Sequence, residues 1–186
     1  MTFTIDLLDD RTRPKAPKVE GVTPAQRAHG KRLAMIHNLH LQQMAEVRRV
    51  MERIAAGEES VASLGDAVSS LQMAHNYRQF GALCGRECVA LTFHHTSEDQ
   101  LVFPALERGS EGLRKVVERL RAEHDIIHQI LVQYEAAALE AMEAPGPETF
   151  AALRELFETL DRVVKSHFGY EQEELEEALG YMNVPL

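Results

Sequence analysis

Residues 111–142 read EGLRKVVERLRAEHDIIHQILVQYEAAALEAM. Within them Val117, Leu120, Ile127 and Leu131 recur at three- and four-residue steps, which is the signature of a helix buried along one face. His124 and His128 fall on that face at a spacing of i, i+4, so the pattern points both imidazoles at an interior. The stretch predicts a long core helix, C, and rules out a strand there.

The neighbouring segments extend the same reading. Thr23 followed by Pro24 and Gln26 is an N-cap, a proline at the first helical position and a capping-box partner. From there Leu33, Ile36, His40, Met44, Val47, Met51 and Ile54 form an apolar stripe, and Ala56-Gly57 is a stop, so helix A is expected over 24–56. A polar stretch, Glu58 to Asp66, contains Ser63 and Asp66 as capping candidates, and a long periodic block follows to Glu107. That block is too long for one globular helix. A break is expected near His75-Asn76-Tyr77, with helix B running on from it and Pro104 kinking or ending it. Ala144-Pro145-Gly146-Pro147 reads as a loop, and helix D is expected over 148–179 with Gly180 closing it. Short connections make consecutive helices antiparallel. The expectation is therefore an all-α, up-down-up-down four-helix bundle over 24–180. An extended N-terminal arm, 1–23, precedes it, and a tail, 181–186, follows.

Composition narrows the function. A chain of 186 residues is long enough for one domain with its own core, and two Cys cannot supply a disulfide framework. With 29 acidic against 20 basic residues, the net charge of −9 argues against duplex nucleic acid or anionic lipid as a main partner. No apolar run approaches the ~20 residues of a membrane span, and the N-terminal stretch lacks the basic leader of a secretory signal. A cytoplasmic protein with reduced thiols is expected.

Histidine is the conspicuous residue type, with nine in the chain. Helix C has His124 and His128; helix D has His167 and Glu171 at i, i+4 on the stripe of Leu153, Leu156, Leu160 and Val164. Helix B has His94 and Glu98 at the same spacing, with His95 adjacent, and helix A has His37 and His40 on or beside its stripe. One inward histidine is usually a satisfied core residue. Three inward pairs on three helices are different, because burying so many imidazoles and carboxylates without a shared cation costs several kcal/mol per unpaired charge. Imidazole with carboxylate suits Fe, Mn, Zn or Cu.

These ordered motifs, with the phrases FHHTSEDQLVFPAL, EHDIIH and HFGYEQEEL, resemble the hemerythrin-like (HHE cation-binding) domains, particularly bacterial and actinobacterial members, over about residues 24–180. The resemblance implies two irons held by five His and two bridging carboxylates: His94, Glu98, His124, His128, His167, Glu171 and one His from helix A. The family phrase suits His37, placed seven residues before Met44, while the stripe is centred on His40; His37 is taken as the ligand with His40 its rival. Some members ligate through the residue directly after the helix B histidine, so His95 either joins the metal or lies next to it. Zn or Mn would substitute for iron in such a set.

The remaining candidates read as structural. Cys84 and Cys88 share a helix face with His95 and are expected as small core residues, Tyr134 as a wall residue near Glu135, and Glu173, Glu174, Glu176 and Glu177 as a solvated face. His29 and His75 are expected at the surface or in loops. Carboxylate-rich diiron enzymes use paired ExxH segments, and this chain has none. Neutral imidazoles stabilise high-valent iron less. O2, NO or peroxide binding as carrier, buffer or sensor is thus the first expectation. Peroxide decomposition, Fe(II) oxidation and an iron-responsive interaction module are the alternatives.

Overall fold

Thr23 starts the first helix through the expected capping box: its hydroxyl accepts from the Gln26 amide, while Gln26 Oε1 accepts from the Thr23 N–H at 2.8 Å. The computed structural model describes residues 5–55, 87–144 and 146–186, and among these all regular structure is helical. The sequence expectations at Ala56-Gly57, Glu58 to Asp66, His75-Asn76-Tyr77, Cys84 and Pro145 lie outside the described residues.

Helix A is two helices, α1 (Pro24–Gly30) and α2 (Arg32–Ala55). The division follows Gly30, whose backbone lies against the final helix so closely that a Cβ there would sit 1.9 Å from the Glu176 carbonyl oxygen. Helix B is described from residue 87: α3 spans 87–97, a π-helical turn spans Glu98–Val102, and α4 spans Phe103–Glu107. Pro104 neither ends the helix nor sits at its irregularity. It occupies the first turn of α4, and the widened turn comes immediately before it, where the Phe103 N–H donates to the Glu98 carbonyl five residues back. Helix α5 (Glu111–Glu143) is capped by the Ser110 hydroxyl, and α6 (Pro147–Tyr181) begins at a proline.

Gly180 does not close α6, contrary to expectation. The helix runs through it, and the glycine is required because a Cβ would meet the Gln26 carbonyl oxygen at 2.0 Å. The chain turns at Asn183 instead, which takes φ +51° in the left-handed region and lets the Val184 N–H donate to the Leu179 carbonyl. His29 is also not a bystander: its Nε2 lies 2.6 Å from the Val184 carbonyl and ties α1 to this C-terminal turn.

Contacts show the four-helix bundle and its antiparallel register. Glu123 meets His167 while Tyr134 meets Phe157, so α5 and α6 run in opposite directions. His37 meets Glu171 while Arg48 meets Asp161, which does the same for α2 and α6. Two apolar clusters fill the bundle. One gathers Met44, Leu91, Ile127, Tyr134, Phe157, Val164 and Phe168, with Cys88 among them; the other gathers Leu33, Val102, Phe103, Leu120, Leu175 and Leu179. Buried polar residues lie where the two meet: His37 on α2, Glu98 after α3, His124 on α5 and Glu171 on α6.

The N-terminal segment folds back along α5 and α6. Ile5 is buried, a 3-10 turn spans Asp10–Thr12, and the Pro14 carbonyl accepts from the Tyr170 hydroxyl. Lys15 pairs with Glu173 and Glu174, and the Ala16 N–H donates to Glu174 Oε2 at 2.6 Å. The acidic run on α6 is therefore not simply a solvated face, since Glu174 is buried beneath the arm, where Lys15 pairs with it, and Glu177 pairs with Arg27.

Candidate metal centre

Seven side chains converge between the apolar clusters. His37, His94, Glu98 and Glu171 form one group and His95, His124 and His167 another, each with its donor atoms within 4.8 Å of one another and every member buried. Adjacent residues of α3 point about 100° apart. His94 consequently faces α2, with its ring 5.1 Å from that of His37, while His95 stacks on His124 at 4.1 Å.

The carboxylates join the two groups. Glu98 Oε1 lies 3.4 Å from His94 Nε2 and 4.0 Å from His37 Nε2, whereas its Oε2 lies 3.6 Å from His124 Nε2. Glu171 Oε2 lies 3.3 Å from His37 Nε2 and 3.7 Å from His167 Nε2. Both acids are one helical turn after a histidine, so their side chains lie above it on the same face.

Three of the five imidazoles are oriented from behind. Asp99 Oδ1 is 3.2 Å from His124 Nδ1, Glu123 Oε2 is 3.1 Å from His167 Nδ1, and the Gln172 amide meets His37 Nδ1 at 2.8 Å. Burial opposes ionisation of Glu123, but hydrogen bonds from His167, Arg13 and Arg119 hold it down at about 2, so it accepts and the His167 Nδ1–H donates. With Asp99 likewise accepting, His124 and His167 turn bare Nε2 atoms toward each other at 3.2 Å. Two lone pairs at that distance repel unless a cation lies between or beside them. Carboxylates behind metal-binding histidines set the tautomer in this way.

Electrostatics leave His94, His95 and His167 in their ligating form. Burial pushes His94 down to about 3, His95 well below its usual value, and His167 down despite Glu123. Glu98 is driven up by burial and by Glu171 beside it, whereas Glu171 is held low by His37 and the other imidazoles against the effect of burial. Phe168 stacks on His37 at 3.8 Å and Phe103 on His124 at 5.3 Å, closing the layer above and below.

The donor set passes a direct test of fit to a cation. His37 Nε2, His94 Nε2, His95 Nε2 and all four oxygens of Glu98 and Glu171 are buried with no hydrogen-bond partner. Each such orphan costs about 1–3 kcal/mol. Together they rival the whole stability of a domain, about 5–15 kcal/mol. A bound cation satisfies them at once.

Six of the residues named from sequence meet here: His37, His94, Glu98, His124, His167 and Glu171. His128 does not. It is exposed, because the buried stripe of α5 is centred on Ile127 with His124 at its edge, and each i+4 step turns about 40° further around the helix. His95 occupies the interior in its stead. His40 stays outside both groups, with Nδ1 held 2.9 Å from Glu87 Oε1. Tyr134 is packed against Phe157 in the core and Glu135 is exposed. Sequence reasoning missed Asp99, Glu123, Gln172 and Phe168. Each lies next to a site residue in the chain, but adjacency alone does not set it apart from an ordinary surface or core residue.

A buried His and Glu layer between helices of a bundle defines a metal-binding helical protein. The chain belongs to the hemerythrin HHE cation-binding domain family, whose model matches residues 37–179. No curated protein and no solved structure gives a significant match. Among the described residues no helix is long and apolar enough to cross a membrane.

Proposed function

We propose that the chain is a non-heme diiron protein of the cytoplasm that binds O2 or a related small ligand, NO or peroxide, as a carrier, buffer or sensor. Its ligands are His37, His94, His95, Glu98, His124, His167 and Glu171. One observation carries this reading: each carboxylate faces both imidazole groups while the inward atoms lack protein partners. Two ions held by these seven side chains would satisfy them, five histidines and two carboxylates being the set the family resemblance implies.

When bound, iron would supply redox equivalents and open coordination positions. The protein's own residues select among the chemistries this permits. Five neutral imidazoles stabilise high oxidation states less than a carboxylate-rich set does, which favours reversible ligand binding over C–H oxidation. Phe103, Phe168 and the flanking apolar clusters exclude water from the layer. Asp99 and Glu123 hold the Nδ1 protons of His124 and His167, which leaves the Nε2 atom of each as the one that would hold a metal.

Zn and Mn compete for such donors, so metal identity is the first measurement. Protein purified without chelator is expected to contain two irons per chain; absence of metal overturns the reading. The diferrous protein is then mixed with O2 without reductant. A reversible absorption band supports carriage. Irreversible bleaching, or O2 evolution from added peroxide over many turnovers, replaces carriage with ferroxidase or peroxide-decomposing activity.

A further inference from the structure

The N-terminal arm reaches the metal layer through one side chain. Arg13 lies 110 positions from Glu123 in the chain, yet its guanidinium grips that carboxylate with both prongs, Nε to Oε1 at 2.9 Å and Nη2 to Oε2 at 3.0 Å. Glu123 Oε2 is also the acceptor for His167 Nδ1. The same arginine donates to Ser166 Oγ at 2.9 Å and lies over the Tyr170 ring at 4.7 Å, so its own position is fixed. Arg119, on the helix of Glu123, holds Oε1 at 2.6 Å and donates to the Asp9 carbonyl and the Thr12 hydroxyl of the arm.

Resting on the diiron reading, we infer that Arg13 is a positioning residue for His167, and that docking of the arm and loading of the metal strengthen each other. A fork that fixes both oxygens of Glu123 fixes the direction of the Nδ1–H bond and hence that of Nε2. When the arm leaves, Glu123 keeps Arg119 but loses the partner that pins Oε2. Such coupling is reciprocal, so whatever factor the docked arm adds to metal affinity, the metal adds to arm docking.

The test uses the full chain with Fe(II) alone as probe, under anaerobic conditions. Arg13→Ala is expected to retain wild-type helicity and to bind iron about tenfold more weakly, the lower end of the range for partners of metal-ligating histidines. Arg154→Ala, which removes an exposed cation of α6 paired with Glu158 and leaves the arm's contacts intact, is expected to bind as wild type does. In parallel, trypsin cleavage after Lys15 requires the arm to lift, because the Ala16 N–H is held by Glu174. Iron is expected to slow that cut by about the same tenfold factor in wild type and not in Arg13→Ala, while cleavage within the bundle slows in both. Equal iron affinity of wild type and Arg13→Ala overturns the inference and leaves the diiron reading standing. Should Arg13→Ala fail to fold, an arm cut at the same rate with and without iron in wild type overturns it as well. A wild-type chain that takes up no iron overturns the diiron reading, and the coupling with it.

Discussion

His95 and His128 offer the clearest contrast at the residue scale. Both were marked by i, i+1 or i, i+4 adjacency to another candidate ligand, yet one is buried with an orphaned Nε2 and the other is exposed on α5. On the diiron reading, replacing His95 with Ala is therefore expected to remove about one iron equivalent and abolish the diiron spectrum, whereas His128→Ala leaves metal content unchanged; elemental analysis of the two purified variants decides between them. Glu123→Gln probes the layer behind. An amide can accept from His167 Nδ1 but loses the charge that Arg13 and Arg119 grip, and iron affinity by chelator competition should fall by about 10–100-fold with helicity retained. Most of the site could be read from spacing because an imidazole and a carboxylate one turn apart share a helix face. Spacing failed at His128 because a face has edges, and the 40° drift per i+4 step carried that residue past the edge of this one. Asp99 and Glu123 were illegible for a different reason: a carboxylate beside a ligand looks like any surface acid until the partner helix is in place.

At the scale of elements, glycines separate two roles that sequence alone merges. Gly30 and Gly180 lie where α1 crosses the end of α6, and a Cβ at either would come within 2.0 Å of a carbonyl oxygen on the facing backbone. Gly169 sits in the middle of α6 with nothing within 4 Å of a would-be Cβ. Alanine raises helix propensity by about 0.8–1 kcal/mol over glycine, so Gly169→Ala should stabilise the protein by about that much. At Gly30 and Gly180 the backbone clash outweighs the propensity, and each alanine variant should lose about 1–3 kcal/mol. At ~2–4 °C per kcal/mol for a chain this long, thermal melts of the three variants should move in opposite directions. The bundle helices themselves were legible because caps and 3.6-residue periodicity are local. The division at Gly30 and the passage of α6 through Gly180 were not, since each answers to a neighbour distant in the chain, and the π turn before Pro104 was not, since a proline in a helical pattern marks a special place without saying which irregularity it brings. Glycine and proline mark where the backbone is special, and only the packed structure says in what way.

For the molecule as a whole, the layered core makes metal and stability inseparable. The two apolar clusters flank a plane of side chains that, without a cation, keeps orphaned oxygens and nitrogens in the driest part of the fold. Burial has already depressed His94, His95 and His167, so their protonation offers no easy relief near neutral pH. The metal-free chain should consequently be a weakened bundle. A ligand that binds only the folded state adds RT ln(1 + [L]/Kd), about 4 kcal/mol at a thousandfold excess over Kd. On the diiron reading, stripping the metal with a chelator should therefore lower the melting temperature by roughly 8–16 °C at the scaling for chains of this size. Returning Fe(II) in excess should restore it, with the transition saturating near two equivalents. The N-terminal arm makes the result specific. Because Arg13 and Arg119 bind the arm to Glu123, hydrogen exchange at Ala16, whose amide is held by Glu174, should quicken in the stripped protein well below its melting temperature. If melting falls while exchange at Ala16 stays unchanged below the transition, the metal stabilises the bundle alone and the arm is only a cover.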